Sequence, residues 1–384
     1  MSLRALWIVS LLFCCALVAC SDDDPSTDGG TAGDGDGDGD GDGDGDGDGD
    51  GDGDVDCDVD PLSVLDPGDL SISNLSVSGD TLVFLSVESG TLFGTIESIG
   101  IDGTGQTTLH SPEGQRRVRS VMAHGDTVFF LEENEEIVST YELFAMPLAG
   151  GDPVRTGEAG VAEGHIFGID DTHVFTTDIS TFDRIAIEGG AVERVGSLEG
   201  GAGASNVRLS GDDIFFAAAT DGGNMRAVYQ LDKSDDDGEP SVLWEIPMQG
   251  DRCNILLGGL FATSTKLVCG YFSLAARNRD GAMEEILFDG DVLTGAKIPM
   301  AVDGENIYYG GGGAPPTPLM RMTSAGEGTE AVACDTGVIG NRLADGFFPI
   351  QNAYEVIVGD SEVYWVERHD GDDLPTYGIR RAAK

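Results

Sequence analysis

Residues 118–131 read Val-Arg-Ser-Val-Met-Ala-His-Gly-Asp-Thr-Val-Phe-Phe-Leu, a largely apolar run, a Gly125-Asp126 pair, then a β-branched and aromatic run. Glycine and aspartate accept the positive φ that tight hairpin turns need, so this stretch predicts a β-hairpin. The same arrangement returns along the chain. It turns at Gly79-Asp80, Asp170-Asp171, Gly211-Asp212, Ser264-Thr265, Gly304-Glu305 and Asp360-Ser361, in steps of about 40 to 56 residues. Most units hold a second hairpin. Tyr141–Leu148 leads through Gly150-Gly151 into Pro153-Val154-Arg155, and Arg184–Ile187 leads through Gly189-Gly190 into Val192–Val195. Each unit therefore reads as four short antiparallel strands.

Four strands repeating at this period describe the blades of a β-propeller, which cannot bury their faces without neighbours. No long stretch places apolar residues at helical spacing, so a helical solenoid is excluded. The expected fold class is all-β, one propeller over residues 61–384 with seven blades. The last unit runs out at Tyr377-Gly378-Ile379-Arg380-Arg381, whereas Pro61–Leu65 precedes the first turn as a spare strand. The N-terminal strand is expected to complete the last blade, removing an exposed edge.

Val363-Tyr364-Trp365-Val366-Glu367 and Val174-Phe175-Thr176-Thr177-Asp178 resemble the repeat of YWTD-type propellers, and the hairpins are also similar to those of TolB-like propellers. The likeness covers most of residues 61–384. Barrel-assembly propeller lipoproteins share the plan, but their regular tryptophans are missing, since only Trp244 and Trp365 lie beyond the leader.

The N-terminal residues specify delivery. Arg4 is followed by an apolar run from Ala5 to Val18, broken only by Ser10. About fourteen residues is too short for a membrane-spanning helix, and the pattern is that of a secretory signal over residues 1–19. Leu17-Val18-Ala19-Cys20 resembles the lipobox of bacterial lipoproteins, which implies a lipid on Cys20 and a lipid bilayer as first partner. Two or three acyl chains anchor stably where one is marginal. Ser21 in place of aspartate implies sorting to the outer membrane, and Asp22-Asp23-Asp24 resembles signals for surface display. The expected location is the outer membrane, on its periplasmic side or at the cell surface.

Residues 20–60 form a tether. Gly33 to Asp54 alternates Gly and Asp without exception, and Asp22–Asp60 contains no basic residue. Such a segment cannot bury enough surface to order itself, and self-repulsion extends it beyond the roughly 35 Å of a flexible coil of that length. Without the large apolar residues of calcium-binding coil repeats, it is expected to condense cations diffusely. No metal site and no cofactor are expected.

The chain carries a net charge of −48, of which −31 remains from Pro61 onward, with 51 acidic against 20 basic residues. That field excludes nucleic acid as a partner. Cys57, Cys253, Cys269 and Cys334 form an even set outside the cytoplasm, which permits two disulfides in three connectivities.

Propellers bind ligands at one face, on the connections from second to third strand and between blades. The longest such connections, taken as Glu132–Tyr141, Ser273–Met283, Gly310–Pro318 and Glu367–Thr376, offer Glu133, Glu135, Arg277, Arg279, Arg368, His369 and Asp370 as a binding face. No serine elbow and no HExxH motif is present. Ser234–Gly238 partly matches the Asp-box turn of sialidase-like propellers, but Ser241 stands where an aromatic residue is needed. No catalytic residue is assigned. The expected function is a membrane-anchored, non-catalytic binding or display module whose face recognises an envelope or extracellular protein or a glycan. A glycan-active hydrolase or lyase and an envelope-assembly scaffold are the alternatives.

Overall fold

The computed structural model describes residues 60–384 except 89–90, 92, 115, 135–139, 158–160, 163, 179, 200–202, 221–224, 248–258, 271–273, 283, 289–296, 312–317, 335–337, 340–355 and 370–375. All its named elements are β-strands, arranged in seven antiparallel sheets that are the blades of a seven-bladed propeller. Blade 1 comprises Leu70–Ser78, Thr81–Glu88, Gly94–Gly100 and Thr107–His110. Blade 2 comprises Val118–His124, Thr127–Glu133 and Thr140–Pro147, with Val154–Arg155 and Val161–Ala162 sharing the outer edge. Blade 3 holds His165–Ile169, His173–Thr177, Thr181–Ala186 and Glu193–Ser197. Blade 4 holds Ala204–Ser210, Asp213–Ala219, Met225–Asp232 and Ser241–Pro247. Blade 5 holds Gly259–Ala262, Lys266–Gly270, Leu274–Asn278 and Glu284–Phe288, and blade 6 Lys297–Asp303, Asn306–Gly311, Leu319–Thr323 and Glu330–Ala333.

Blade 7 is assembled from both ends of the domain. Its second and third strands are Glu362–His369 and Thr376–Ala383, and its fourth is Leu62–Gly68, paired with Thr376–Ala383. The N-terminal strand thus completes the last blade, as its sequence position implied. One departure is that the first strand of blade 7 comes in two pieces, Val338–Ile339 and Val356–Val358, both paired with Glu362–His369. The closing strand is irregular, with register shifts after Ser63 and Leu65. Beside it lies a mainly apolar cavity of about 80 Å³ lined by Leu65, Ile72, Phe84, Ser86, Gln106 and Tyr377 among others.

First strands of successive blades touch one another in a closed circuit, so they are the innermost strands around the axis. The second strands are the apolar runs that marked the repeat, and they are apolar throughout because both faces are buried. In blade 2, Val128 and Phe130 pack toward blade 1 while Phe129 and Leu131 pack toward blade 3. Seven core clusters follow, one in each junction between consecutive blades. Burying a side chain of this size contributes about 1.5–3 kcal/mol, so each junction is held mainly by its own cluster.

All seven expected turns join a first strand to a second. At Gly125 the φ is 55° and the space a Cβ would fill is open, so backbone conformation, not crowding, requires glycine there. Asp126 has no positive φ, which fits a type II′ turn with glycine at its first central position.

Side chains tie these turns together blade by blade. Ser78 Oγ donates to Gly125 O at 2.7 Å, and His124 approaches Asp171 at 3.9 Å. Lys233 pairs with Asp170 at 3.0 Å across blades 3 and 4. Arg279 donates to Ser210 O at 2.6 Å and to Asp213 at 3.2 Å, joining blades 5 and 4. Glu305 of blade 6 accepts from Thr263, Ser264 and Thr265 of blade 5. Lys384 meets Asp303 at 2.5 Å between blades 7 and 6.

Candidate functional site at the axial mouth of the loop face

Each innermost strand starts at the face that carries the longer connections and ends at the tight-turn face, so its opening residues ring the axis on the loop side. Five of these strands are irregular near that end or at mid-strand: between Ser73 and Ser76, Val118 and Ser120, Ile166 and Gly168, Ser205 and Arg208, and Pro299 and Ala301. A bulge inserts a residue that the ladder does not pair and so re-aims its side chain. In blade 2 the inserted residue is Arg119, because Val118 pairs with Glu132 and Ser120 with the next residue back, Leu131.

The backbone beneath Arg119 is locked across three blades. Ser120 is buried, and its Oγ donates to Asn74 Oδ1 of blade 1 at 3.2 Å while accepting from Ile166 N of blade 3 at 3.2 Å. Asn74 sits at φ 55°, a conformation asparagine tolerates better than most residues. Ala123 N donates to Ser76 Oγ at 3.1 Å one step further in.

Arg116, Arg117 and Arg119 enter this strand together. Arg116 is committed: its guanidinium lies 2.8 Å from buried Glu132, which also meets His110 at 2.5 Å. Arg117 and Arg119 are exposed, and neither has an ion pair or side-chain hydrogen bond among the described residues. The first strands of blades 1 and 3 flank Arg119 and its own sheet lies behind it, so its exposed guanidinium opens on the axis or its mouth.

His165 opens the adjacent innermost strand of blade 3, paired with Thr177. Burial, assisted by the charge of Arg119, pushes the imidazole down to about 3, so it is neutral at physiological pH. Its Nε2 is buried without a hydrogen-bond partner. Deeper along the axis, Arg208 of blade 4 lies 4.5 Å over the ring of Phe261 in blade 5 and donates to Val207 O at 2.9 Å. Burial draws Arg208 down to about 10, which leaves it charged at neutral pH.

The free state of Arg117 and Arg119 stands out against the other cations. Arg155, Arg184, Arg194, Arg321, Arg380, Arg381, Lys233, Lys266 and Lys384 are all ion-paired, and Arg226 of blade 4 has a buried Nε without a partner. Among the described residues, no three His, Cys, Asp or Glu side chains gather as a metal site would require.

The residues selected from sequence scatter. Glu133 ends the second strand of blade 2, and its N donates to Arg117 O at 2.9 Å, which puts it beside this mouth. Arg368 and His369 end the second strand of blade 7 at the loop face, with His369 2.8 Å from buried Glu367, itself paired with Arg380. Two assignments need correction. Arg279 lies in the turn between the third and fourth strands of blade 5, on the tight-turn face, stacked 4.8 Å from Phe215 and bonded to blade 4. Arg277 points the same way, 5.1 Å over Trp244 and 3.4 Å from Gly281 O. The connection expected over residues 273–283 contains the strand Leu274–Asn278, and a strand reverses the face on which its far end emerges. Cys269 and Cys334 are each disulfide-bonded. Cys20, Cys57, Cys253, Glu135 and Asp370 lie outside the described residues.

Ser234–Gly238 forms the turn between the third and fourth strands of blade 4. The carbonyls of the adjoining Lys233 and of Asp235 accept from Arg184 of blade 3, so the turn acts as a clamp between blades. Sequence reasoning missed Arg117, Arg119 and His165. The available signal was three of the 20 basic residues within four positions, directly before a first strand.

No family model matches the chain, and no curated protein does. Solved structures do. YCF48 bound to D1 peptide is similar at 12% identity and a TM-score of 0.53, over 85% of this chain and 97% of that one. A prolyl endopeptidase described for its inter-domain dynamics is similar at 14% identity and a TM-score of 0.50, over 79% of this chain. This chain spans only 46% of that enzyme. Both likenesses are to the propeller fold.

Proposed function

We propose that the chain is a lipid-anchored, non-catalytic binding module that presents the axial mouth of its loop face to an extracellular or envelope partner. One observation carries this reading: the turns of one face are bonded from blade to blade, whereas among the described residues of the other face Arg117 and Arg119 are exposed without an ion pair or side-chain hydrogen bond. Exposed groups without internal partners are what a recognition surface retains, since nothing in folding requires them there. Anchorage follows from Cys20 and the acidic tether, which would hold the domain away from the membrane. Among solved propellers of this fold, YCF48 holds a peptide, so an extended protein segment is a natural occupant.

The buried carboxylates Glu97, Glu132, Asp183 and Glu367 each have a hydroxyl or cationic partner. No observation therefore favours the hydrolase or lyase alternative. Metabolic labelling with a palmitate analogue tests the anchor: lipid is expected on the native chain and absent from a Cys20→Ala variant. Protease treatment of intact cells then separates surface display, in which the domain is cleaved, from a periplasmic location, in which it is protected. A Cys20→Ala chain that still acquired lipid, or an intact chain that captured no protein or glycan, would overturn the respective half of the reading.

A further inference from the structure

We infer that Arg117 and Arg119, with His165 beside them, form a subsite for one carboxylate of a peptide segment. This deepens the binding-module reading and rests on it.

An arginine guanidinium presents a planar fork of donors that matches a carboxylate. Two such groups, two residues apart and unpaired among the described residues, supply the charge and donors for one anionic group. The position is built: Ser120 links the strands of blades 1, 2 and 3 beside Arg119, and Arg116 already neutralises Glu132. Beside Arg119, the buried Nε2 of His165 has no hydrogen-bond partner among the described residues, a costly condition for a polar atom.

Charge selects among anions. The domain carries a net −31, and the exposed acid Asp69 and the partly exposed Glu133 occupy the same end of the ring. A field of that sign repels polyuronates and nucleic acids and disfavours a phosphate, which carries about two charges. A single carboxylate on an otherwise neutral or basic peptide meets the local cations at the smallest long-range cost.

The test uses the full-length chain in detergent and an array of random heptapeptides in three forms: free C-terminus without internal acids, amidated C-terminus without internal acids, and amidated with a single Asp or Glu. Oligogalacturonate serves as a glycan probe. Binding is expected for peptides with one carboxylate and not for amidated, acid-free ones, and the form that binds shows whether the carboxylate is terminal or a side chain. An Arg117→Gln/Arg119→Gln double variant should lose at least tenfold in affinity, with its unfolding curve unchanged. An Arg117→Lys/Arg119→Lys variant should recover part of that loss. Peptide binding indifferent to amidation, or unchanged in the Gln variant, would overturn the subsite and leave the binding-module reading intact. Binding of oligogalacturonate in place of peptides would overturn the peptide assignment. Failure of the native chain to bind any probe would overturn the subsite, and capture from envelope extracts would then show whether the broader reading fails too.

Discussion

Arg279 and Arg119 both sit where blades meet near an end of the ring, and they are treated in opposite ways. Arg279 reaches from blade 5 to Ser210 and Asp213 of blade 4 and lies over Phe215, so its charge is spent inside the fold. Arg119 is inserted by a bulge, flanked by a locked backbone, and has no ion pair among the described residues. In a domain with 51 acids against 20 bases, carboxylates to pair with are plentiful. An arginine that remains unpaired there is a positional feature. Described side chains of the tight-turn face bond from blade to blade, whereas the proposed binding face keeps Arg119 out of such bonds.

The contrast can be broken by measuring stability at both ends. Arg279→Ala should cost most, about 2–4 kcal/mol, because it removes charge-assisted hydrogen bonds worth about 1.5–3 kcal/mol each and leaves Asp213 without its cation. Denaturant unfolding reads this, and a loss under about 0.5 kcal/mol would show that the tie contributes nothing.

His165 gives the next effect, and it depends on pH. Its folded pKa lies below the unfolded value, so the unfolded chain binds the extra proton and stability falls as pH drops from about 6.5 toward 3. The slope over that window should be on the order of 1 kcal/mol per pH unit. A His165→Gln variant should flatten it, whereas an unaltered slope would mean that the imidazole is protonated in the native domain.

Glu305 sharpens the same axis from the other end. Burial opposes its ionisation, but hydrogen bonds from Ser264, Ser324, Thr265 and Thr263 outweigh it and hold the carboxyl below the usual glutamate value. A depressed carboxylate stabilises the fold above its unfolded pKa and loses that contribution as pH falls through the folded one. Glu305→Gln should therefore cost about 1–2 kcal/mol at pH 7 and progressively less below pH 4.5. A pH-independent cost would assign the effect to packing. The smallest change is expected at the mouth, where Arg117→Gln/Arg119→Gln should alter stability by no more than about 0.5 kcal/mol. A larger loss would show that these arginines are structural.

Legibility followed burial. Second strands such as Thr127–Glu133 and Glu362–His369 are buried on both faces, which makes them continuous apolar runs with a turn pair in front, and the eye finds them at once. The closing strand was legible for the opposite reason, as an apolar segment left over at one end of a repeat that was short at the other. The site was less legible. Loop length guided the choice of Arg277 and Arg279, but exposure and partners depend on which face a strand end reaches, and one unrecognised strand placed both on the wrong side. Arg117 and Arg119 escape that criterion because one ends a connection between blades and the other lies inside the strand that follows it.

The sequence by itself determined the hairpin repeat, the blade count, the closure and the acidic field, because each arises from local pattern or from composition. Only the tertiary structure decided which cations are free. That property belongs to pairs of side chains from different blades, such as Arg279 with Asp213 or Lys233 with Asp170, brought together across tens of residues by the packing of consecutive blades. Nothing local distinguishes Arg116, bonded to Glu132, from Arg117 and Arg119. Arg116 reaches buried Glu132 on the second strand, whereas Arg117 and Arg119 stay exposed.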